Sequence, residues 1–200
     1  MELFLDVDGV ILDFESAFMD FIRDNYLKDL PQGYIPKSWE MTNEFKGVDI
    51  EKAWSKFVNS SLFSQLELLV DKNSFNDLSE LYSLYLISNI PSIYLEKRIT
   101  NLKNHALKYK KIEVAGHFDF GEKNYPIKSK AISCLWDKNK KLIFLDDHPD
   151  NCLDVKQNFP ESQVFLMSRP HNQKAKNNSW IRVNDWDDFL SKLKILPTLL

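Results

Sequence analysis

Cysteine is scarce in this sequence of 200 residues, and the sequence shows no apolar membrane span and no signal-peptide pattern. Cys134 and Cys152 are its only cysteines, and two isolated cysteines predict neither a zinc site nor a disulfide framework. No stretch approaches the roughly 18 apolar residues of a membrane span. Residues 1–12 also lack the basic start and long apolar run of a signal peptide. We therefore expect a cytoplasmic protein in a reducing environment, with no membrane partner.

An excess of charge of one sign is also missing. Lys and Arg number 26 while Asp and Glu number 29, a formal net charge of −3, which gives no support for a nucleic-acid polymer as partner. The Gly-x4-Gly-Lys-Ser/Thr loop does not occur, which excludes a kinase of the P-loop type. Apolar residues make up 44% of the chain, enough for one domain or for a core domain with a small insertion.

What the sequence does contain is an alternation of short apolar runs with helical patterns. The runs predict buried strands at residues 3–5, 84–87, 112–115, 142–145 and 164–167. This alternation predicts an α/β fold, Rossmann-like and doubly wound, with a mostly parallel sheet of five strands or more. About 70 residues separate the first two strands, too many for a crossover. We therefore expect a core domain of residues 1–13 and 81–200, with a small helical cap, residues 14–80, inserted after the first strand.

Polar residues indicate where two of the helices begin. Residues 74–77 resemble a capping box, which predicts a helix starting near Phe75. Asp185, Asp187 and Asp188 form a dense acidic group. We interpret them as the cap and first turn of a last helix over roughly 186–196, rather than as metal ligands.

The strongest chemical signal follows the first strand. Asp6 and Asp8 would share one face of a strand, and Gly9 allows a sharp turn directly afterwards. An Asp-Gly pair is also typical of a hairpin turn. Two neighbouring carboxylates repel each other unless a cation compensates, and Mg²⁺ prefers oxygen ligands. At the carboxyl end of a parallel strand, where such sheets bind ligands, the pair predicts a Mg²⁺ site.

Three further polar signals lie at or just beyond later strand ends. Ser88, followed by Asn89, closes the second strand and could donate a hydrogen bond or simply end the strand. Asp146 and Asp147 close the fourth strand and could complete an oxygen-lined metal site or cap the next helix. Between these two signals, lysines precede or open a helix at Lys123, Lys128 and Lys130.

In this order the four signals resemble the motifs of the haloacid dehalogenase (HAD) superfamily of phosphatases. The first motif of that family is an apolar strand ending in Asp-x-Asp-Gly-Val/Thr, which residues 6–10 match. Its later motifs are an apolar run ending in Ser or Thr, a lysine, and an apolar strand ending in acidic residues. Within the family, residues 62–66 and 168–172 are similar to the 5′(3′)-deoxyribonucleotidase-like branch, the cytosolic 5′-nucleotidases.

The resemblance implies a Mg²⁺-dependent phosphomonoester hydrolase that acts through an aspartyl phosphate on a small phosphorylated metabolite, with a 5′-nucleotide among the candidates. It implies Asp6 as the nucleophile and Asp8 as the general acid and base. The residues implied to bind phosphate are Ser88, Asn89 and Lys128, with Lys130 and Lys123 as alternatives to Lys128. The implied metal ligands are Asp6, Asp8 through its backbone carbonyl, Asp146 and Asp147, with Asp147 slightly favoured over Asp146 as the direct ligand.

Other functions remain open. A receiver-type signalling module phosphorylated on Asp, and a catalytically silent binding protein with the HAD fold, would use similar residues. In the predicted cap, aromatic side chains could stack on a nucleobase, although a role in the cap core is the more ordinary interpretation. They are Phe14, Phe18, Trp39, Trp54 and Phe63.

Overall fold

The computed structural model describes residues 1–36, 41, 44–116, 122 and 124–195. Its strands are β1 Glu2–Leu5, β2 Ser83–Ser88, β3 Lys111–Val114, β4 Leu142–Asp146, β5 Gln163–Met167 and β6 Ile181–Val183. They form a parallel sheet in the order β3-β2-β1-β4-β5-β6, with β1 in its interior. The predicted Rossmann-like α/β fold is therefore confirmed.

The helices connect the strands, as crossovers between parallel strands require. They are α1 Phe14–Asn25, α2 Ile50–Asn59, α3 Lys72–Leu81, α4 Leu95–Asn104, α5 Lys128–Leu135, α6 Pro149–Asn158 and α7 Trp186–Ile195. Short 3-10 turns occur at Leu62–Ser64, Ser92–Tyr94 and Pro170–Asn172. None of these helices has the length and apolar character that crossing a membrane demands.

Both faces of the sheet are buried, because successive side chains of a strand point to opposite sides. In β1, Leu3 and Leu5 face one hydrophobic cluster, to which α3, α4 and α7 contribute. Phe4 faces a second cluster, to which α5 and α6 contribute. Helices cover both faces of the sheet, which is the doubly wound arrangement. Ligands in such folds bind at the carboxyl edge of the sheet.

Two helix starts and one strand differ from the sequence predictions. Helix α3 begins at Lys72 rather than near Phe75, because the Asp71 side chain caps it by accepting from the Ser74 N–H at 2.8 Å. The sequence also predicts a helix from Pro91 to about residue 107, but this segment begins as a 3-10 turn and becomes α-helical only at Leu95. Strand β6 was not predicted because three residues are too short to show a strand pattern.

The last helix begins where it was predicted. Asp185 caps α7 by accepting from the Asp188 N–H at 2.8 Å, and Asp188 pairs with Lys192 at 2.9 Å. The acidic group therefore serves a helix N-terminus, as interpreted from the sequence.

The segment between β1 and β2 forms a helical insertion. Helices α1 and α2 and the turn at Leu62–Ser64 pack through a group of aromatic rings formed by Phe14, Phe18, Phe57 and Phe63. The last helix of the segment, α3, instead packs near the sheet, where Phe75 meets Trp186 edge to face at 6.2 Å. Of the aromatic residues listed above, Trp39 lies outside the described residues.

Candidate active site

Three carboxylates meet at the carboxyl edge of the sheet. Strands β1 and β4 are neighbours with Leu5 opposite Leu145, so the residues that follow them, Asp6 and Asp146, lie side by side. Asp147 joins them, and one oxygen from each side chain lies within 4.8 Å of the others. All three residues are buried. Residues far apart in the sequence thus form one acidic cluster.

Lys128 is the cation of this cluster. It is the first residue of α5, and its buried ammonium contacts Asp6 Oδ1 and lies 2.7 Å from Asp146 Oδ2. Burial alone lowers the pKa of Lys128, but attraction to Asp146 and Asp6 outweighs it and raises that pKa above its ordinary value. Lys130 is exposed on the same helix, and Lys123 lies outside the described residues. Of the two described candidates, the fold brings only Lys128 to the carboxylates.

The two acidic residues after β4 have different surroundings. Asp146 accepts hydrogen bonds on both oxygens, from the His148 N–H at 2.7 Å, from Lys128 and from Asn151. Asp147 Oδ2 is buried with no hydrogen-bond partner. The nearby His171 Nε2 lies 3.5 Å from it. A buried carboxylate oxygen without a hydrogen bond, in a cluster of three carboxylates, fits a hard divalent cation such as Mg²⁺. This difference supports Asp147 as a direct ligand.

Gly9 makes room for the Asp147 carboxylate. Its φ of +84° is a backbone conformation that residues with a side chain rarely adopt. A Cβ atom added there would lie 2.2 Å from Asp147 Oδ2. The Asp-Gly step after β1 therefore bends the chain and leaves space for the carboxylate from the neighbouring strand.

The second carboxylate of the first motif is held by core side chains. Asp8 Oδ2 accepts from the Ser88 hydroxyl at 3.0 Å, and Asp8 Oδ1 accepts from the Arg98 guanidinium at 2.5 Å. Asn89, predicted to bind phosphate, donates its side-chain amide to the carbonyls of Ala115 and Gly116 at 3.2 and 2.8 Å. Its role toward phosphate stays a prediction, and any such contact would come from its backbone.

Arg98 is a residue of the site that was not predicted from the sequence. It lies in α4 and its side chain is fully buried, which is rare for arginine. A sequence signal did exist. Leu95, Arg98 and Leu102 are spaced three and four residues apart, so a charge occupies the apolar stripe of the helix.

The segment after β5 supports the same loops. Asn172 donates to the backbone carbonyls of Asp147 and Met167, both at 2.7 Å. Arg169 donates to the Gly9 carbonyl at 2.6 Å, and His171 lies 3.5 Å from Asp147 Oδ2. These contacts fix the loops that carry Asp8 and Asp147. From the sequence, residues 168–172 showed a family likeness but predicted no structural role.

A cavity of about 520 Å³ lies above the carboxylates. Its polar floor includes Asp6, Asp8, Asp146 and Asp147. Its walls are mainly apolar side chains from the insertion and from the loop after β2, namely Phe14, Phe18, Met41, Ile50, Trp54, Ile90 and Pro91. Phe63, by contrast, is fully buried in the aromatic group of the insertion. The cavity could hold a small molecule with one charged end and one apolar end.

Comparison with known proteins identifies the fold. No protein-family model and no curated protein matches the chain. A haloacid dehalogenase-like hydrolase from Streptococcus pneumoniae superposes with a TM-score of 0.59 at 14% identity, over 96% of this chain and 97% of that protein. A Thermotoga maritima protein assigned as a β-phosphoglucomutase has a TM-score of 0.62 at 14% identity, over 98% and 100% of the two chains. The chain has the haloacid dehalogenase fold.

Proteins with the haloacid dehalogenase fold carry out different reactions. A HAD hydrolase from Bacillus subtilis, described as bound to magnesium, superposes with a TM-score of 0.59 at 17% identity, over 97% of this chain and 98% of its own. An L-2-haloacid dehalogenase is similar as well. At such identities the likeness establishes the fold, and the chemistry has to be argued from the side chains. The likeness to the deoxyribonucleotidase branch stays a prediction.

Metal binding by the acidic cluster of Asp6, Asp146 and Asp147 should depend on pH. Burial raises the pKa of Asp147 to about 7, with His171 acting in the opposite direction. The folded protein without metal therefore favours the protonated carboxyl. The contribution of the protonated Asp147 carboxyl to the free energy of unfolding is fully present below about pH 4, the ordinary range of Asp. It is lost as the pH rises through about 7. A bound cation needs the ionised form, so stabilisation by Mg²⁺ should increase over the same range.

At pH 5.5 we expect only a small shift in melting temperature on addition of Mg²⁺ at about 5 mM, a concentration high enough to saturate a weak site. It should grow toward pH 8, and affinity should rise by up to tenfold per pH unit for each proton released. Thermal unfolding with Mg²⁺ or EDTA across this range measures the effect. Asp147→Asn should show a weaker Mg²⁺ response with less dependence on pH. An equal Mg²⁺ shift at pH 5.5 and pH 8 would contradict the expectation.

Proposed function

We propose that this protein is a Mg²⁺-dependent phosphomonoester hydrolase that forms a covalent phosphoaspartate on Asp6. The observation that carries the proposal is the convergence of the four motifs under one cavity. The carboxyl edges of β1 and β4 carry Asp6, Asp8 and the Asp146–Asp147 pair. Lys128 reaches these carboxylates from the start of α5, and Ser88 joins them from β2. Each motif alone has an ordinary structural explanation, but their shared position does not.

The residues can be assigned to two chemical steps. In the first, Asp6 attacks phosphorus, the ester P–O bond breaks, and Asp8 gives a proton to the leaving oxygen. In the second, Asp8 takes a proton from water, the water oxygen attacks phosphorus, and phosphate leaves Asp6. Lys128 offsets negative charge on the phosphorylated nucleophile. A bound Mg²⁺, held by Asp6, Asp146, Asp147 and the Asp8 carbonyl, would lower the repulsion between substrate and carboxylates.

The ionisation of Asp6 also favours a metal-dependent enzyme. Burial raises the pKa of Asp6 well above its ordinary value, although Lys128 acts in the opposite direction. A protonated carboxyl is a poor nucleophile. A divalent cation shared with Asp146 and Asp147 would lower the pKa of Asp6 and so favour the ionised form that attack requires.

The cavity bears on which substrate fits. Of its described lining residues none is Lys or Arg, and two on the insertion side, Glu15 and Glu51, are acidic. A second anionic group on the substrate would meet these carboxylates, and the basic side chains among the described lining residues are His148 and His171, of which His171 lies 3.9 Å from Glu15. Phe14 and Trp54 instead offer aromatic surface. We propose that the insertion, residues 14–80, acts as the cap and accepts an apolar or aromatic alcohol, for which a 5′-nucleoside is one fitting example.

A screen of phosphate esters tests this function. With Mg²⁺ we expect phosphate release from 5′-nucleoside monophosphates or aryl phosphates, at least about tenfold faster in kcat/KM than from sugar bisphosphates, since one unpaired charge contact is worth about 1–3 kcal/mol. EDTA should abolish turnover. No phosphate release from any ester would refute the proposal. Chloride release from a 2-haloacid would instead favour a dehalogenase, which needs no proton donor for its leaving group.

A receiver-type module is the second candidate, because it too would be phosphorylated on an aspartate. The position of Asp6 disfavours it, since this residue is only 5% exposed and lies at the floor of a cavity under the insertion. A protein phosphodonor could not reach it there. Incubation with a small phosphodonor distinguishes the two, because a receiver would accumulate a stable phosphoaspartate while a hydrolase would release phosphate.

A further inference from the structure

The buried side chain of Arg98 reaches the site from outside the four motifs. Its guanidinium donates to Asp8 Oδ1 at 2.5 Å through one terminal nitrogen. The other terminal nitrogen donates to the Phe63 carbonyl and to Asn101 Oδ1, both at 3.2 Å. The guanidinium carbon also lies 4.1 Å from the centre of the Phe63 ring. One side chain of the core therefore contacts both the second carboxylate of the site and the insertion.

Stability alone does not account for this arrangement. Burying an arginine in a protein interior costs several kcal/mol, and a single ion pair often fails to offset that cost. The buried Nε of Arg98 has no hydrogen-bond partner. An apolar residue packed beneath Phe63 would avoid both costs. What an apolar residue could not do is hold the Asp8 carboxylate.

Asp8 is held at both oxygens in a fixed orientation. Ser88 donates to Oδ2 and Arg98 to Oδ1, while the Asp8 side chain keeps 14% of its surface exposed and lines the cavity. Two donors anchored on β2 and α4 leave the carboxylate little freedom to rotate. Proton transfer requires hydrogen-bond reach to the leaving oxygen, so orientation of this group affects rate directly.

We propose that Arg98 is a positioning residue for Asp8. It orients this general acid and base toward the substrate, and it makes that orientation depend on how the insertion packs against the core. This inference rests on the proposed function, because it assigns Asp8 its role in proton transfer. Contact with Phe63 makes the link to the insertion. If the turn at Leu62–Ser64 shifts, the guanidinium loses its ring contact and its carbonyl partner together.

The neighbouring residue Lys97 provides a matched control. It also lies on α4 and donates to the insertion, at the carbonyls of Val58 and Ser60 at 2.8 and 3.4 Å. The Lys97 ammonium bonds to these backbone carbonyls rather than to Asp8. Lys97→Met therefore removes a cation that joins core and insertion while leaving the hydrogen bonds of Asp8 intact.

The test compares two substrates with different leaving groups. An alkyl phosphate needs a proton on its leaving oxygen, whereas p-nitrophenyl phosphate leaves as a stable phenolate. In Arg98→Met we expect kcat/KM for the alkyl ester to fall about 100-fold. For p-nitrophenyl phosphate kcat/KM should fall less than about fivefold, because that step gains little from general acid catalysis. Lys97→Met should stay within about twofold of wild type for both esters. Melting temperatures show whether each variant is folded.

A purely structural role for Arg98 would lower both rates equally. Equal losses for the two esters in Arg98→Met, or unchanged rates for both, would each overturn the inference. If Arg98→Met does not fold, Arg98→Lys decides, since it keeps the buried charge but cannot reach all three partners. It should show the same selectivity to a smaller degree, and equal losses would again refute the role. Absence of turnover in the wild type would refute the proposed function instead.

Discussion

Asp6→Asn is expected to abolish phosphate-ester hydrolysis, with kcat falling by about 10⁴-fold or more, as for loss of other catalytic nucleophiles. The amide is a poor nucleophile and cannot form the phosphoaspartate. The fold should survive, because the change removes one negative charge from a crowded cluster and leaves Lys128 its partner Asp146 at 2.7 Å. Steady-state kinetics and thermal unfolding of the same preparation separate loss of activity from loss of structure.

Asp187→Asn is a suitable control for this substitution. It removes the same charge from an exposed residue in the first turn of α7, in an acidic group that caps a helix. Its activity should equal that of the wild type. Acid quenching of a reaction with labelled substrate should trap label on wild-type protein and none on Asp6→Asn. Retained turnover in Asp6→Asn, or label bound to it, would refute Asp6 as the nucleophile.

Lys128→Met should have the second large effect, on stability as well as on activity. Without metal, it removes the ammonium that contacts Asp6 and Asp146 from a cluster of three buried carboxylates. Loss of one partner from a buried ion pair costs about 3–5 kcal/mol of unfolding free energy. Mg²⁺ should recover part of this loss, because it supplies positive charge to the same oxygens. Loss of the ammonium should also lower kcat by about 10²–10³-fold even with Mg²⁺.

Urea unfolding with EDTA and with Mg²⁺ measures the first effect, and steady-state kinetics the second. Lys130→Met is the matched control, two residues further along α5 and exposed, and it should change neither quantity. Full activity in Lys128→Met would show that this lysine is not the cation of the phosphoryl site. A loss in Lys130→Met of similar size would indicate an effect of the helix rather than of the buried ammonium.

The parts of the site that could be predicted from sequence are those fixed by backbone topology. Asp6 and Asp146 each end or follow an apolar run, and parallel strands bring such ends to one edge of the sheet. That these two strands are neighbours is a property of the fold as a whole. Lys128 could be ranked above Lys130 only from a family pattern. The structure explains the ranking, since the first residue of α5 points into the cluster and the third is exposed.

The parts that could not be predicted depend on contacts between distant side chains. Arg98 meets Asp8 across 90 positions of sequence, and only its place in an apolar stripe distinguished it from a surface arginine. Asn172 reaches the backbone of Asp147 rather than any side chain, so no pairing of charges marked it. The shape of the cavity depends on how Phe14, Phe18 and Trp54 pack, and periodicity predicts a buried face but not the space that it leaves.

The central place of β1 has a consequence during protein synthesis. Of the six described strands β1 is made first, whereas the strands on either side of it follow much later, with Glu2 opposite both Ser83 and Leu142. A growing chain therefore carries an apolar strand with open edges until most of the protein has been made, a state prone to aggregation. Asp6 is translated long before β4, so the acidic cluster can form only after β4 has been added beside β1.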